Sequence, residues 1–337
     1  MLDLSRFLAF RAFFLLGLVP SLVLGGDPVV IAHRGASGYL PEHTLEAVAF
    51  AHAQGADYIE QDVVLSKDGV PVVLHDTQVD TVTDVARKFP ERRRADGRYY
   101  AIDFTLAELK TLDVRERVNP KTGEPAFPKR FPSRAVPFRI PTLDEELELI
   151  AGLNASTGRT AGVYAEIKSP AWHKEQGQDL SPIVLATLAR HGYSSKEDPC
   201  YVQCFDFDEV KRVREELGYR GRLVQLIGGR RGPDGSDPTS AEGLASLAKY
   251  VDGIGPAIPL VVRTSDDGKL APTDLVRLAH EANLVVHPYT IRVDALPNGL
   301  TSETLFEVLF DDAKIDGVFA DHPDKVVDFL RARGKTR

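Results

Sequence analysis

Two acidic side chains lie two residues apart in a strand-like segment, YIEQDVVLSKDGVPVVLHD (58–76), whose far end carries a histidine. Glu60 and Asp62 would point to the same face of a strand, because alternate side chains share a face. Two like charges side by side are unfavourable unless a positive charge lies between them. The pattern therefore indicates either a metal cation or basic side chains beside these carboxylates.

A third carboxylate is predicted to join this pair. Glu166 lies in the strand-like run VYAEIK (163–168), which we expect to neighbour the first two acids. Carboxylate oxygens are hard ligands, so three of them predict one divalent cation, Ca²⁺ or Mg²⁺, rather than zinc or copper. The alternative is a salt-bridged cluster in which Arg34 and Lys168 neutralise the acids.

Two histidines are predicted to flank the acids. His33 follows the first apolar run, and His75 ends the opening segment. The SKDG linker is too short for a parallel crossover, so that segment must form an antiparallel hairpin that returns His75 to the level of Asp62. Two histidines on opposite sides of a scissile bond suit general acid and general base catalysis. Taken singly, each would be read more simply as a loop residue.

Eight strand-like runs, alternating with helical patterns, must position these side chains. This order predicts an α/β fold, a TIM-type (β/α)8 barrel of parallel strands. Catalytic residues of such barrels lie at the carboxyl ends of the strands, where the polar candidates of this chain also occur. The runs span 29–33, 58–62, 163–168, 201–205, 222–227, 251–255, 284–290 and 316–321.

Capping residues mark the predicted helix starts. Thr142 with Glu145, and Asp206 with Glu209, have the spacing of a capping box. Further starts are predicted at Thr44, Ser181, Thr273 and Ser302.

The segment 76–141 is too long for a plain loop. We predict that it forms a small subdomain inserted between strands two and three, over the mouth of a barrel that spans 28–334. Its basic cluster, Arg92 to Arg94, is either a solvated face or an anion site for the substrate. The tract 228–238 is predicted to be a mobile loop on the same side of the barrel.

The amino terminus departs from the composition of the rest. Two arginines precede an apolar run over 12–24, which at about 13 residues is too short to span a bilayer. Gly25 and Gly26 then offer a cleavage site, so residues 1–25 are predicted to be a signal peptide. This predicts a periplasmic or secreted protein without a stable membrane anchor after cleavage. An uncleaved anchor is the alternative.

Charge and cysteine content exclude other classes. The formal net charge is −8, so nucleic acid is not an expected partner. The cysteines, Cys200 and Cys204, are four positions apart on a predicted strand, too far from each other to form a disulfide.

Sequence motifs in the predicted strands and loops carry a family resemblance. Taken in order, they resemble the glycerophosphodiester phosphodiesterases, in particular the longer periplasmic bacterial branch, over nearly the whole chain after the predicted signal peptide. The motifs are HRGASGYLPEHT (33–44), YIEQDVVLSKDG (58–69), VVLHD (72–76), AEIKSP (165–170), QCFD (203–206), DGIGP (252–256), VVHPYT (285–290) and DHPDKVVDFL (321–330).

The resemblance implies a hydrolase that cleaves small glycerophosphodiesters to glycerol 3-phosphate and an alcohol, with a Ca²⁺ or Mg²⁺ ion. It implies that the acids matching Glu60, Asp62 and Glu166 hold the metal. It also implies acid–base roles for the histidines matching His33 and His75.

Five further side chains are predicted to contact the substrate. Arg34 and Lys168 can supply the fixed positive charge that a phosphoryl group needs. Phe205 and Tyr289 stand at strand ends and would wall the glycerol side, the alternative being plain core packing. Gln203 completes this set.

Two functional alternatives stay open at this point. A phospholipase-type phosphodiesterase on the same barrel would use a similar histidine pair. A non-catalytic secreted binding protein would keep the barrel without turnover. The insertion over the barrel mouth favours a small soluble substrate over a bilayer.

Overall fold

A barrel of parallel strands forms the centre of the chain. The structure is a computed structural model that describes residues 26–132, 136–230, 232, 235–265 and 269–335. The predicted signal peptide (1–25) lies outside these residues, as do residues 231, 233 and 234 of the predicted loop at 228–238. Within the described ranges, no helix has the length and apolar character needed to cross a bilayer.

The strands are short and mostly buried. In the described part of the chain they are β1 Val29–Ala32, β2 Tyr58–Leu65, β3 Pro71–Val73, β4 Gly162–Ile167, β5 Cys200–Cys204, β6 Arg222–Ile227, β7 Gly253–Pro256, β8 Val262–Thr264, β9 Leu270–Pro272, β10 Val285–Val286 and β11 Gly317–Ala320.

The strand order confirms the predicted TIM-type (β/α)8 barrel. Parallel neighbours follow the order β10, β7, β6, β5, β4, β2, β1, β11, while β8 and β9 form a separate antiparallel pair. Backbone hydrogen bonds from Asp316 N to Val286 O (3.1 Å) and from Phe319 N to Pro288 O (3.0 Å) join the two end strands. The carboxyl ends of the strands therefore face one common mouth.

Helices follow the strands around the outside of the barrel, with shorter ones in the connecting segments. The α-helices are α1 Leu45–Gln54, α2 Val85–Lys88, α3 Leu106–Leu109, α4 Leu143–Thr157, α5 Pro170–Glu175, α6 Leu180–Arg190, α7 Phe207–Glu215, α8 Ala241–Leu247, α9 Ile258–Val261, α10 Leu275–Glu281, α11 Ser302–Phe306 and α12 Pro323–Ala332. A π-helical turn at Glu307–Asp312 and 3₁₀ turns at Pro90–Arg92 and Ala101–Asp103 complete them.

Some helix starts agree with the capping patterns. Thr44 caps α1 through its side chain, and Thr142 with Glu145 forms the full capping box before α4. Ser181 was predicted to begin a helix, but it lies inside α6. Its buried hydroxyl donates a hydrogen bond to the carboxylate of Glu209, a charged acceptor, and does not cap the helix.

The other predicted helix starts agree only in part. Asp206 caps α7, but the carboxylate of Glu209 does not return to it, so the predicted capping box is only half formed. Thr301 caps α11 in place of Ser302. The helix α10 begins two residues after Thr273.

The segment between β3 and α4 has an apolar cluster of its own. The cluster includes Val64 and Val72 of the hairpin formed by β2 and β3, so the segment packs onto the barrel. Its other buried members are Leu74, Val79, Val82, Val85, Tyr99, Ala101, Phe104, Leu109, Leu112, Val114, Phe138 and Ile140. The boundaries 76–141 of the predicted subdomain stay a prediction, and we call this segment the insertion.

The basic cluster of the insertion is engaged within the insertion itself. Arg94 makes two hydrogen bonds of 2.7 Å to the carboxylate of Asp103. Arg92 donates to Glu108 Oε1 at 3.0 Å. These contacts favour the interpretation of Arg92 to Arg94 as a solvated face over an anion site for the substrate.

The interior of the barrel holds a buried histidine among aromatic rings. His287 Nδ1 lies 3.1 Å from the hydroxyl of Tyr164, and its ring meets the edge of Tyr201. Burial lowers the pKa of His287 to about 4. His287 therefore belongs to the barrel core, although it directly follows β10.

Replacing His287 by glutamine is expected to flatten the dependence of stability on pH. The unfolded chain takes up a proton near the ordinary pKa of 6.5, whereas the folded chain does so only near 4. The wild type therefore loses stability as the pH falls from 6.5 to 4, by about 3 kcal/mol from this one group. Urea unfolding at several pH values measures the effect, and parallel curves for H287Q and the wild type would contradict it.

Candidate active site

Three buried carboxylates meet at the barrel mouth. Glu60 and Asp62 lie on β2 and Glu166 lies on β4, in a register that places Asp62 opposite Glu166. One oxygen of each carboxylate lies within 4.8 Å of the others. The structure thus brings together the three acids that the sequence singled out.

Basic and amide groups neutralise this cluster only in part. Lys168 Nζ lies 2.7 Å from Glu166 Oε1 and 3.6 Å from Asp62 Oδ1. The Nε atom of Arg34 lies 3.6 Å from Asp62 Oδ2, and the Arg34 amide donates to Glu60 Oε2 at 2.9 Å. The two positive charges of Arg34 and Lys168 do not balance three carboxylates. Salt bridges to these two residues therefore neutralise only part of the acid cluster.

The donor set fits a divalent cation. Burial and the neighbouring Asp62 and Glu166 raise the pKa of Glu60 well above its usual range, so an added positive charge would be favourable there. Asp62 Oδ1 is buried and accepts no hydrogen bond from the described residues. An oxygen-only set with a spare buried oxygen matches Ca²⁺ or Mg²⁺ coordination chemistry.

Gln203 and His43 each contact one oxygen of an acid in the cluster. The Gln203 amide donates to Glu60 Oε1 at 3.0 Å. His43 Nε2 lies 2.7 Å from Asp62 Oδ2 and is buried. His43 was not among the predicted site residues, although it lies within the PEHT part of the first motif. It fixes one oxygen of Asp62, and the other oxygen remains oriented towards the cluster.

His33 is held by the aspartate that directly follows the last strand of the barrel. Its Nδ1–H donates to Asp321 Oδ1 at 2.6 Å, and its Nε2 lies 3.8 Å from Glu60 Oε2. Burial, reinforced by Arg34, lowers the pKa of His33 to about 3. The ring is therefore neutral, with Nε2 directed to the acids as a proton acceptor.

His75 is held in a matching way by the aspartate that follows it. The predicted antiparallel hairpin is confirmed, and Leu74 N donates to Asp62 O at 2.8 Å, which sets His75 at the level of Asp62. The Nδ1–H of His75 donates to Asp76 Oδ1 at 2.6 Å. Burial, reinforced by the Arg34 charge, lowers the pKa of His75 to about 4. Neither Nε2 atom has a hydrogen-bond partner among the described residues, so both can take part in proton transfer.

An aromatic pair borders the site. The rings of Phe205 and Tyr289 meet edge to face with centroids 5.7 Å apart. Phe205 is 48% exposed, so it is not a core residue. Burial and the nearby Glu166 raise the pKa of Tyr289 to about 12, and its hydroxyl donates to Ile227 O at 3.3 Å.

Sequence reasoning missed the partners of the histidines. Asp76 directly follows His75, and this adjacency could have indicated the pair. Asp321 begins one of the motifs but had no predicted role. Arg117 and Arg130, from the insertion, contact these two aspartates. Neither arginine stood out by motif or spacing.

Comparisons with known proteins agree with this geometry. The family model described as Glycerophosphoryl diester phosphodiesterase family matches residues 33–325. A Haemophilus influenzae glycerophosphodiester phosphodiesterase is 43% identical over 328 residues, covering 90% of each chain. A Treponema pallidum glycerophosphodiester phosphodiesterase is 37% identical over 339 residues, covering 93% of this chain and 95% of its own.

Solved structures show the same architecture. A putative glycerophosphoryl diester phosphodiesterase from Silicibacter pomeroyi superposes with a TM-score of 0.68 at 26% identity, covering 92% of this chain and 96% of that chain. A phosphodiesterase from Oleispira antarctica, solved in complex with the product sn-glycerol-3-phosphate, has a TM-score of 0.61 at 22% identity. That match covers 90% of this chain and 97% of the other, and supports the fold.

Proposed function

The chain belongs to the glycerophosphoryl diester phosphodiesterase family and is an enzyme of that class, and on this premise we propose its substrates and mechanism. The substrates are small glycerophosphodiesters such as glycerophosphocholine or glycerophosphoethanolamine, and the products are glycerol 3-phosphate and an alcohol. One observation carries the proposal: two neutral histidines, each held by an aspartate at Nδ1, stand beside a cluster of three buried acids.

The acids would hold one Ca²⁺ or Mg²⁺ ion through Glu60, Asp62 and Glu166. When bound, the ion supplies positive charge that neutralises a phosphate oxygen and lowers the pKa of a substrate hydroxyl. Arg34 and Lys168 add two fixed positive charges beside the same acids, and these suit the remaining phosphate oxygens.

The two histidines divide the proton transfers between them. One accepts at Nε2 the proton of the attacking hydroxyl, for which its neutral state is required. The other donates a proton from Nε2 to the departing alcohol, and the negative charge of the bound phosphodiester favours the protonated form needed for that step. The attacking hydroxyl belongs either to water, which gives glycerol 3-phosphate directly, or to the 2-hydroxyl of the substrate glycerol. The second route expels the alcohol and forms a cyclic phosphate, which water then opens to glycerol 3-phosphate. Either histidine can take either role.

The aromatic pair would receive the glycerol carbons. Phe205 and Tyr289 present an apolar edge at the mouth, near the charge of Glu166. The side chain of Gln203 donates a hydrogen bond to Glu60. We therefore propose that it orients this acid, in addition to the predicted contact with the substrate.

Purified protein is expected to release glycerol 3-phosphate and choline from glycerophosphocholine, while leaving a micellar phospholipid intact. The insertion packs over the barrel, which favours a small soluble substrate over a bilayer. Coupled assays for glycerol 3-phosphate, glycerol and choline measure both the substrate and the bond cleaved. Release of glycerol and phosphocholine would contradict the proposed bond, and hydrolysis of the micelle alone would favour the phospholipase-type alternative.

We also propose that the protein is exported to the periplasm or secreted. The charged and apolar pattern of residues 1–25 supports this. Mass spectrometry of the amino terminus tests it, because an intact Met1 in the mature protein would contradict processing.

A further inference from the structure

Both histidine–aspartate pairs continue to an arginine of the insertion. Asp76 uses Oδ1 for His75 and Oδ2 for Arg117, whose Nη1 donates at 2.6 Å. Asp321 uses Oδ1 for His33 and Oδ2 for Arg130, whose Nη2 also donates at 2.6 Å. The two halves of the site are therefore built alike, although their strands and loops are unrelated in sequence.

Arg117 is anchored at a second point. It makes a two-point contact with Glu42, through Nη2 to Oε1 at 2.6 Å and Nε to Oε2 at 3.0 Å. Glu42 in turn accepts a hydrogen bond from Arg34 at 3.0 Å. Burial alone would raise the pKa of Glu42, but the positive charges of Arg117 and Arg34 hold it well below its usual range. Arg117 thus ties Asp76 to the loop that carries Arg34.

Arg130 is anchored in the same manner. It makes a two-point contact with Asp294, with distances of 2.8 and 3.0 Å, and its guanidinium lies 3.7 Å from the ring centroid of Phe127. Only 4% of its side chain is exposed. Arg292 also lies near Asp321, with Nε 3.0 Å from Oδ2.

We propose that Arg117 and Arg130 are positioning residues for the acid–base reaction, and that the insertion thereby completes both histidine–aspartate pairs at once. The inference rests on the proposed function, since it assigns a role within the same site. It gives the insertion a part in orienting both histidines.

The physical reason lies in the geometry of the carboxylates. An aspartate that contacts only a histidine can rotate about its own side-chain bonds, and the histidine ring rotates with it. An arginine on the second oxygen fixes that rotation, because its planar guanidinium bonds two acids at set angles. The ring orientation and the Nδ1–H tautomer are then fixed before the substrate binds.

Replacing either arginine by glutamine is expected to lower kcat roughly 10- to 100-fold, as is typical for the loss of an orienting partner. The KM value of R130Q is expected to change by about twofold or less, because none of the contacts that anchor Arg130 is made to a proposed substrate ligand. Arg117 shares Glu42 with Arg34, so kcat is the readout of positioning for R117Q. The lysine variants R117K and R130K are expected to lie between, since lysine keeps the charge but loses the two-point contact.

Crossed double variants separate positioning from a general loss of structure. In a D76N background, R117Q is expected to lower kcat by no more than about twofold further, because the carboxylate through which it acts is gone. In a D321N background, R117Q is expected to keep its full effect. R130Q is expected to show the reverse pattern.

Arg94 offers a matched control within the insertion. It contacts Asp103 at two points but has no link to either histidine. R94Q is expected to lower the melting temperature and to keep kcat within about twofold of the wild type. Circular dichroism checks the fold of each variant.

A readout without substrate keeps the inference separate from the proposed function. Each Nδ1–H bonded to a carboxylate is expected to give a strongly downfield proton resonance. R117Q is expected to weaken that of His75 only, and R130Q that of His33 only. The inference is overturned if both single variants keep kcat within twofold with both resonances intact, or if R117Q acts equally in both backgrounds. Failure of the wild type to release glycerol 3-phosphate, with the resonance pattern as expected, would instead count against the proposed function.

Discussion

Replacing His33 or His75 by glutamine is expected to lower kcat by roughly 10²- to 10⁴-fold, which is the usual contribution of general acid–base catalysis. Glutamine keeps a side-chain amide but cannot exchange a proton near neutral pH. Each histidine has Nδ1 engaged by an aspartate, so only Nε2 is available for this exchange. Release of glycerol 3-phosphate from glycerophosphocholine measures the effect.

A partly buried histidine provides the control. His191 Nε2 lies 2.8 Å from Asp144 Oδ1, and no hydrogen bond or ion pair of the described residues joins this histidine–aspartate pair to Glu60, Asp62 or Glu166. H191Q is expected to keep full activity. If H33Q or H75Q kept kcat within about threefold, that histidine would have no part in proton transfer.

The same two variants can also assign the roles. A glycerophosphodiester with p-nitrophenol as its alcohol has a leaving group that needs no proton from the enzyme. The variant that lacks the general acid is therefore expected to recover most of its activity with this substrate. The variant that lacks the general base is expected to stay impaired.

Replacing Asp62 by asparagine is expected to abolish cation-dependent activity and to lower kcat by about 10³-fold, since a bound divalent cation contributes several kcal/mol to such reactions. Asp62 is central because it faces both Glu166 and Lys168. Its pKa is held well below its usual range by Lys168 and the nearby histidines, although burial acts in the opposite direction.

Thermal unfolding gives an independent measure of this change. A cation at 100 times its dissociation constant is expected to stabilise the wild type by about 2.7 kcal/mol. The D62N protein is expected to show no such rise in melting temperature. Glu146 is the matched control, a buried carboxyl on α4 whose pKa is raised well above its usual range by burial. Glutamine resembles the protonated form of Glu146, so E146Q is expected to keep the rise in melting temperature that the cation causes in the wild type.

The part of the site that lies on regular strands was predictable from the sequence. The two-residue spacing of Glu60 and Asp62 fixes a shared face, and the short SKDG turn forces the hairpin that brings His75 back to Asp62. Both arguments use only local geometry. The alternation of strands and helices likewise determined the barrel.

The contacts between distant segments were not predictable in this way. His33 and Asp321 are 288 positions apart, and Arg130 reaches Asp321 from an insertion without regular periodicity. Ser181 has the form of a helix cap, yet a buried contact with Glu209 draws it into the helix. In each case the deciding contact is tertiary, because it joins a charged carboxylate to a residue distant in the chain.

The most direct measurement is the rate of glycerol 3-phosphate release from glycerophosphocholine before and after removal of divalent cations. With a chelator in excess, the rate is expected to fall to background, and addition of Ca²⁺ or Mg²⁺ beyond the chelator is expected to restore it. The D62N protein should stay inactive under every condition. Full activity of the wild type in the presence of the chelator, after exhaustive dialysis, would contradict a cation held by Glu60, Asp62 and Glu166.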